Sequence, residues 1–217
     1  MNARGARIEL LAGVVAVIGW LLAVLVLEAF GDSPADDAGP QQLLEYFQNE
    51  EGSIYIGAIC FFVGSGALLW FGGVLREAIA ATGLDRLATI AFGATVATAV
   101  LTMGLLVPQV SAAFEANESE GPLSPEAAQA LWVAGDGFFV AAEFTAATLL
   151  LAVALATLRS RMLPTWLAWL SLVIALVLVI PPIGWAALIF GFPIWILLVT
   201  FFLWKRTETE PALTPGA

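Results

Sequence analysis

Six apolar stretches, each about as long as the hydrocarbon core of a bilayer is thick, dominate this 217-residue chain. A membrane-spanning helix needs about 20 apolar residues, because it rises about 1.5 Å per residue. Hydrophobic residues make up 60% of the chain and charged residues 12%, against about 25% charged residues in soluble domains. The sequence therefore predicts an all-α, multi-pass membrane protein with one six-helix domain over residues 1–206. The six predicted spans are residues 8–30, 54–74, 87–107, 132–157, 164–180 and 183–204, and a short polar tail follows at 207–217.

The basic residues indicate how these spans are oriented. All eight occur in four pairs, and every pair falls on one side of the membrane if the chain crosses it six times. Basic residues are enriched on the cytoplasmic side, so the pattern predicts cytoplasmic N- and C-termini in a cell membrane. Five or seven spans would break the pattern. The pairs are Arg4 with Arg7, Arg76 with Arg86, Arg159 with Arg161, and Lys205 with Arg206.

The acidic residues are concentrated on the opposite side. This face is typical of solubilising, orienting loops, and the alternative is a vestibule that attracts cations. The net charge of −10 and the small number of basic residues exclude an extended nucleic-acid surface. Ten carboxylates form the acidic face: Asp32, Asp36, Asp37, Glu45, Glu50 and Glu51 in the first outer loop, and Glu115, Glu118, Glu120 and Glu126 in the second.

Several kinds of chemistry are excluded by composition. The chain has no histidine and one cysteine, Cys60, which rules out His-based metal or haem sites, Ser–His and Cys–His catalytic pairs, and an internal disulfide. Neither a Walker motif nor a GxGxxG pattern is present. We therefore expect no metal, no cofactor and a role other than enzyme.

Local signals predict where helices begin and end. Ser124 and Pro125 are typical of a helix start, so the fourth long helix is expected to begin there. Pro108 is expected to end the third. Residues 40–47 are predicted to form a short helix. It is either an ordinary loop helix, or a helix that lies on the outer membrane surface or caps the bundle.

Small residues and mid-span tryptophans predict the packing. Glycine and alanine are concentrated in the second, third and fourth spans, which are expected to form the tight centre of the bundle. Trp20 and Trp195 lie at mid-span and are expected to be packing residues.

Acidic residues inside a span are the main candidates for function. Asp136 and Glu143 lie seven residues apart on the fourth span, which places them on one helix face about 10 Å apart. No basic residue is available at their depth. Glu143 is therefore expected to take up a proton, to face a wet cavity, or to bond a carbonyl or a threonine of the third span, namely Thr95, Thr98 or Thr102. Glu28, near the outer end of the first span, is the third candidate for proton, cation or ligand binding. Gly191 and Pro193 predict a kink that either lines the same site or has no functional role.

Residues 135–198 contain the strings GDGFF, LPTWLAWL and PPIGWAALIFGFPIW. This segment resembles small six-span bacterial membrane proteins of a family of unknown function. The resemblance implies six helices and a bacterial inner membrane, and it assigns no activity and no residue roles.

Two functional hypotheses follow. The first is a non-enzymatic accessory, interaction or envelope protein whose partners are the lipid bilayer, other membrane proteins or a second copy of the chain. The second is a small carrier or channel for protons, cations or a small lipophilic ligand, which uses Asp136, Glu143 and Glu28. Acids that line an internal cavity favour the second hypothesis, whereas acids sealed in a dry core by hydrogen bonds remove its support.

Overall fold

The computed structural model describes residues 3–29, 33–35, 37–117 and 123–209. Helices cover 90% of these residues, which contain no strand, so the predicted all-α fold is confirmed. Within these described ranges, five helices are long and apolar enough to cross a membrane, one fewer than the six predicted spans. The helices are α1 Ala3–Ala29, α2 Pro40–Asn49, α3 Glu51–Ala80, α4 Asp85–Asn117, α5 Pro125–Ser160, α6 Thr165–Leu178, α7 Pro181–Ala186 and α8 Phe192–Thr209, with a π-helical turn at Ala187–Gly191 between the last two.

The predicted fifth span corresponds to the short helix α6. It has 14 residues, or about 21 Å at the usual rise per residue. It ends early because Pro181 and Pro182 have no N–H groups to continue its hydrogen-bond ladder. The chain turns within Val179 and Ile180, and α7 then begins at Pro181, so the last two predicted spans are joined with almost no loop.

The two proline signals on the long helices have different outcomes. α5 begins at Pro125 as predicted, and the Ser124 hydroxyl accepts a hydrogen bond from the Ala127 amide at 3.2 Å. The prediction that Pro108 ends a helix is wrong, because α4 continues to Asn117. Ala112 and Ala113 beyond the proline are fully buried, and their packing outweighs the cost of about 3 kcal/mol for an internal proline.

The short helix α2 caps the bundle. Its Leu43 and Phe47 pack against Ala112 and Ala113 of α4 and Ala128 of α5 in a small apolar cluster. The prediction of a helix at residues 40–47 is confirmed, and the helix lies against the long helices. This packing brings Tyr46 of α2 near Glu28 of α1 and Asp136 of α5.

Close helix contacts hold the long helices together. A Cβ atom on Gly64 of α3 would lie 2.8 Å from the carbonyl oxygen of Ala16, so α1 belongs to the tight centre together with α3, α4 and α5. Trp20 and Trp195 are buried as expected. The Trp20 indole N–H donates to the Ser65 hydroxyl at 3.0 Å, and that of Trp195 donates to the Ser171 hydroxyl at 2.7 Å.

Candidate functional site

A cavity of about 490 Å³ lies below α2, between α1, α4, α5 and the π-helical turn. This volume is in the range of small-molecule sites, which are typically apolar with a few polar groups. Among the residues that the structure describes, no group of three His, Cys, Asp or Glu side chains is arranged to hold a metal ion. Seven aromatic side chains form much of the wall: Trp20, Tyr46, Phe61, Trp132, Phe139, Trp185 and Phe190.

Asp136 lies on this cavity wall. Its neighbour Gly135 is buried against α4, where a Cβ atom would lie 2.7 Å from the Leu105 carbonyl oxygen. The missing side chain therefore brings α5 close to α4 at this level and places Asp136 at the cavity. Gly137, on the other side of Asp136, has open space where its Cβ would be.

Glu28 and Tyr46 form the polar edge of the cavity nearest α2. The Ser33 hydroxyl donates to the Glu28 carboxylate at 3.2 Å. Burial raises the pKa of the Tyr46 phenol to about 12, with Glu50 and Glu28 adding to the rise and a Ser33 hydrogen bond opposing it. The phenol is therefore a neutral donor at this edge, and its ring packs edge-on against Trp132 at 5.9 Å between centroids.

Gln109 is a site residue that the sequence analysis missed. It is 7% exposed and lines the cavity, and no hydrogen bond within the described ranges engages its side-chain amide. Because it lines the cavity, this amide is available to a ligand or to water. A signal was present, because Gln109 continues the stripe of Thr95 and Thr102 at seven-residue spacing on α4. The expected helix end at Pro108 concealed it.

Glu143 lies away from the cavity, although it shares a helix face with Asp136. It is 2% exposed, and its carboxyl packs against Gly184 of α7. A Cβ atom on Gly184 would lie 2.9 Å from the Glu143 carboxyl and 2.8 Å from the Leu178 carbonyl oxygen. Asp136 and Glu143 therefore belong to two separate places, the cavity and the break between α6 and α7.

The Leu178 carbonyl next to Glu143 has no donor within its own helix. The residues three and four positions later are Pro181 and Pro182, which carry no N–H. The threonines expected as partners of Glu143 donate to carbonyls of their own helix instead: Thr95 to Ala91, Thr98 to Ala94 and Thr102 to Ala99. Both the Leu178 carbonyl and the Glu143 carboxyl lie against Gly184, and a proton on Glu143 would make its carboxyl a hydrogen-bond donor at this place.

The predicted kink in the last helix coincides with the π-helical turn. The Phe192 N–H bonds the Ala187 carbonyl five residues earlier, which widens the helix immediately before Pro193. Pro193 lines the cavity, as do Ile189 and Phe190 of the turn. Gly191 instead faces α6, where a Cβ atom would lie 3.5 Å from Ile174.

The cavity reaches the apolar outer surface of the bundle. Leu21 and Val24 of α1 line the cavity and are also exposed, as are Trp185 of α7 and Phe190 of the turn. These four residues border a lateral opening between α1 and the α7 segment. The acidic lining residues Glu28 and Asp136 are exposed as well.

Comparison of the chain with protein-family models, with curated proteins and with solved structures finds no match. The geometry of the cavity is therefore the basis for assigning a function.

Proposed function

We propose that this protein is a six-span protein of a bacterial inner membrane, with both termini in the cytoplasm, that binds a small lipophilic ligand taken from the surrounding bilayer. The observation that carries this proposal is the cavity of about 490 Å³ with its largely apolar wall and its exposed lateral edge. Non-polar walls make a lipophilic body the favoured occupant, because burying apolar surface is favourable.

Two observations support six spans. All eight basic residues fall on one side only if α6 also crosses the membrane. α6 exposes a continuous apolar face, which suits contact with lipid tails. Its shortness is accommodated by local thinning of the bilayer and by interfacial anchors such as Trp166 and Trp169.

Tryptophan substitution at the lateral opening tests the binding function. Val24 lines the cavity, whereas Leu25, which is also exposed on the same helix, does not. We expect Val24→Trp to weaken binding of the neutral dye Nile red by about tenfold, equal to about 1.4 kcal/mol, because the indole fills the opening.

The matched variant Leu25→Trp should bind the dye as the wild-type protein does, measured by fluorescence titration in nonionic detergent with empty micelles as the blank. Equal dye binding by both variants and the wild-type protein would count against a ligand in this cavity.

The accessory role remains a second proposal, supported by a different observation. Five glycines on the long helices, Gly52, Gly66, Gly73, Gly93 and Gly137, have open space where a side chain would begin. Small residues on a lipid-facing surface allow another helix to approach closely, from a partner protein or a second copy. A shift to a smaller species for Gly93→Leu, measured by light scattering, supports that role.

A further inference from the structure

We infer that the ligand of the cavity is an amphipathic cation, a small apolar molecule with one ammonium-like positive centre. This inference rests on the proposed binding function and names the chemical class of ligand. It is carried by three features of the cavity wall: its charge, its rings and its unpaired amide.

The charged side chains on the wall are all acidic. Glu28 and Asp136 line the cavity, and no lysine or arginine is among the described residues that form it. Both carboxylates are exposed at the edge of a largely apolar cavity, where their negative charge attracts a positive one. A cationic ligand supplies this charge, whereas an anionic ligand would add to the repulsion.

The aromatic side chains on the cavity wall favour the binding of a positively charged group. Tyr46, Trp132 and Trp185 line the cavity together with the two acids. The faces of aromatic rings attract cations, most strongly when water is excluded, and cages of this kind recognise quaternary ammonium groups. The remaining aliphatic wall, including Leu105 and Leu106, suits the apolar body of the same molecule.

The unpaired Gln109 amide distinguishes this cavity from a solvated acidic surface. Its side chain is more than nine-tenths buried, lies on the wall and has no hydrogen-bond partner within the described part of the chain. The amide oxygen is an acceptor for an ammonium N–H or a dipole for a quaternary centre. Asp136 and Gln109 lie on neighbouring helices that Gly135 holds together.

Two probes of matched shape and opposite charge test the inference. Tetraphenylphosphonium and tetraphenylborate are compared by equilibrium dialysis against the protein in nonionic detergent, with empty micelles as the blank. We expect the cation to bind at least about tenfold more tightly than the anion, a difference of about 1.4 kcal/mol. Asp136→Asn should remove most of this preference. Glu126→Gln, on the exposed first turn of the same helix, is the control and should leave it unchanged.

The outcomes separate this inference from the function on which it rests. If both ions bind equally while Val24→Trp still weakens Nile red binding, the inference of a cationic ligand is overturned. The proposal that the cavity binds a lipophilic ligand then still stands. Binding of none of the three probes overturns both. If Asp136→Asn does not fold, Glu28→Gln serves in its place, and an unchanged preference in a folded variant of either acid also overturns the inference.

Discussion

At the scale of single residues, the two acids of α5 show how far sequence reasoning reaches. Their seven-residue spacing predicts one helix face, and both do lie on one face of α5. Their surroundings differ because Asp136 meets the cavity, while Glu143 meets Gly184 and Leu178, which are remote in sequence. A local pattern fixes the direction of a side chain on its helix, but the neighbours it meets depend on tertiary packing.

Substitution of Glu143 tests whether its carboxyl is the donor for the Leu178 carbonyl. Glu143→Gln keeps a donor of the same shape and should retain the wild-type stability. Glu143→Met removes the donor and should lower the free energy of unfolding by about 1–3 kcal/mol, because a buried carbonyl then stays unpaired. Thermal denaturation in detergent measures both.

Infrared spectroscopy supplies the second readout for the same residue. A neutral carboxylic acid absorbs infrared light at a different frequency from a carboxylate. The wild-type protein should therefore show a carboxylic-acid band that Glu143→Gln lacks. Wild-type stability of Glu143→Met, with no band lost in the glutamine variant, would be inconsistent with a proton at this position.

At the scale of helices, the apolar lengths predict which elements exist, and packing decides where they end. The start of α5 follows from Ser124 and Pro125, whose effects are confined to one helical turn. The continuation of α4 past Pro108 depends on α2, which covers Ala112 and Ala113 and comes from a loop far away in sequence. Because Pro108 was expected to end this helix, Gln109 was not predicted to lie on it or to be a polar group of the cavity.

A pair of glycines two residues apart on α3 tests the close contact between α1 and α3. Gly64→Ala should destabilise the protein, because the added Cβ meets the Ala16 carbonyl oxygen at 2.8 Å. Gly66 has open space, so Gly66→Ala should stabilise it by up to about 1 kcal/mol through helix propensity. Thermal denaturation of the two variants under one condition compares them. Equal effects would mean that α1 and α3 are not in close contact at Gly64.

At the scale of the whole molecule, the apolar composition predicts a helical bundle, but it does not predict a cavity. The cavity forms between α1, α4, α5 and the π-helical turn, and its volume depends on how these separate elements cross. No short sequence pattern contains that information. The acidic candidates Asp136 and Glu28 were nevertheless available from the sequence, because charge inside an apolar span is conspicuous.

The ends of α6 provide a test of the six-span topology. Single cysteines at Thr165 and Ile180, both exposed, are placed in a Cys60→Ala background. We expect a membrane-impermeant maleimide to label Ile180→Cys in intact cells and Thr165→Cys only after the membrane is opened. Labelling of both from the same side would show that α6 does not cross the bilayer.

The most direct test of the central claim is to locate a lipophilic molecule in the folded protein. A neutral photoreactive lipophile is cross-linked to the protein in lipid nanodiscs, and the modified residues are identified by mass spectrometry. We expect adducts on cavity residues such as Thr102, Leu106 and Gln109, which are buried from the outer surface, and we expect Val24→Trp to lose these adducts. Adducts confined to lipid-facing residues such as Ile59, Val173 and Leu176 would contradict the central claim.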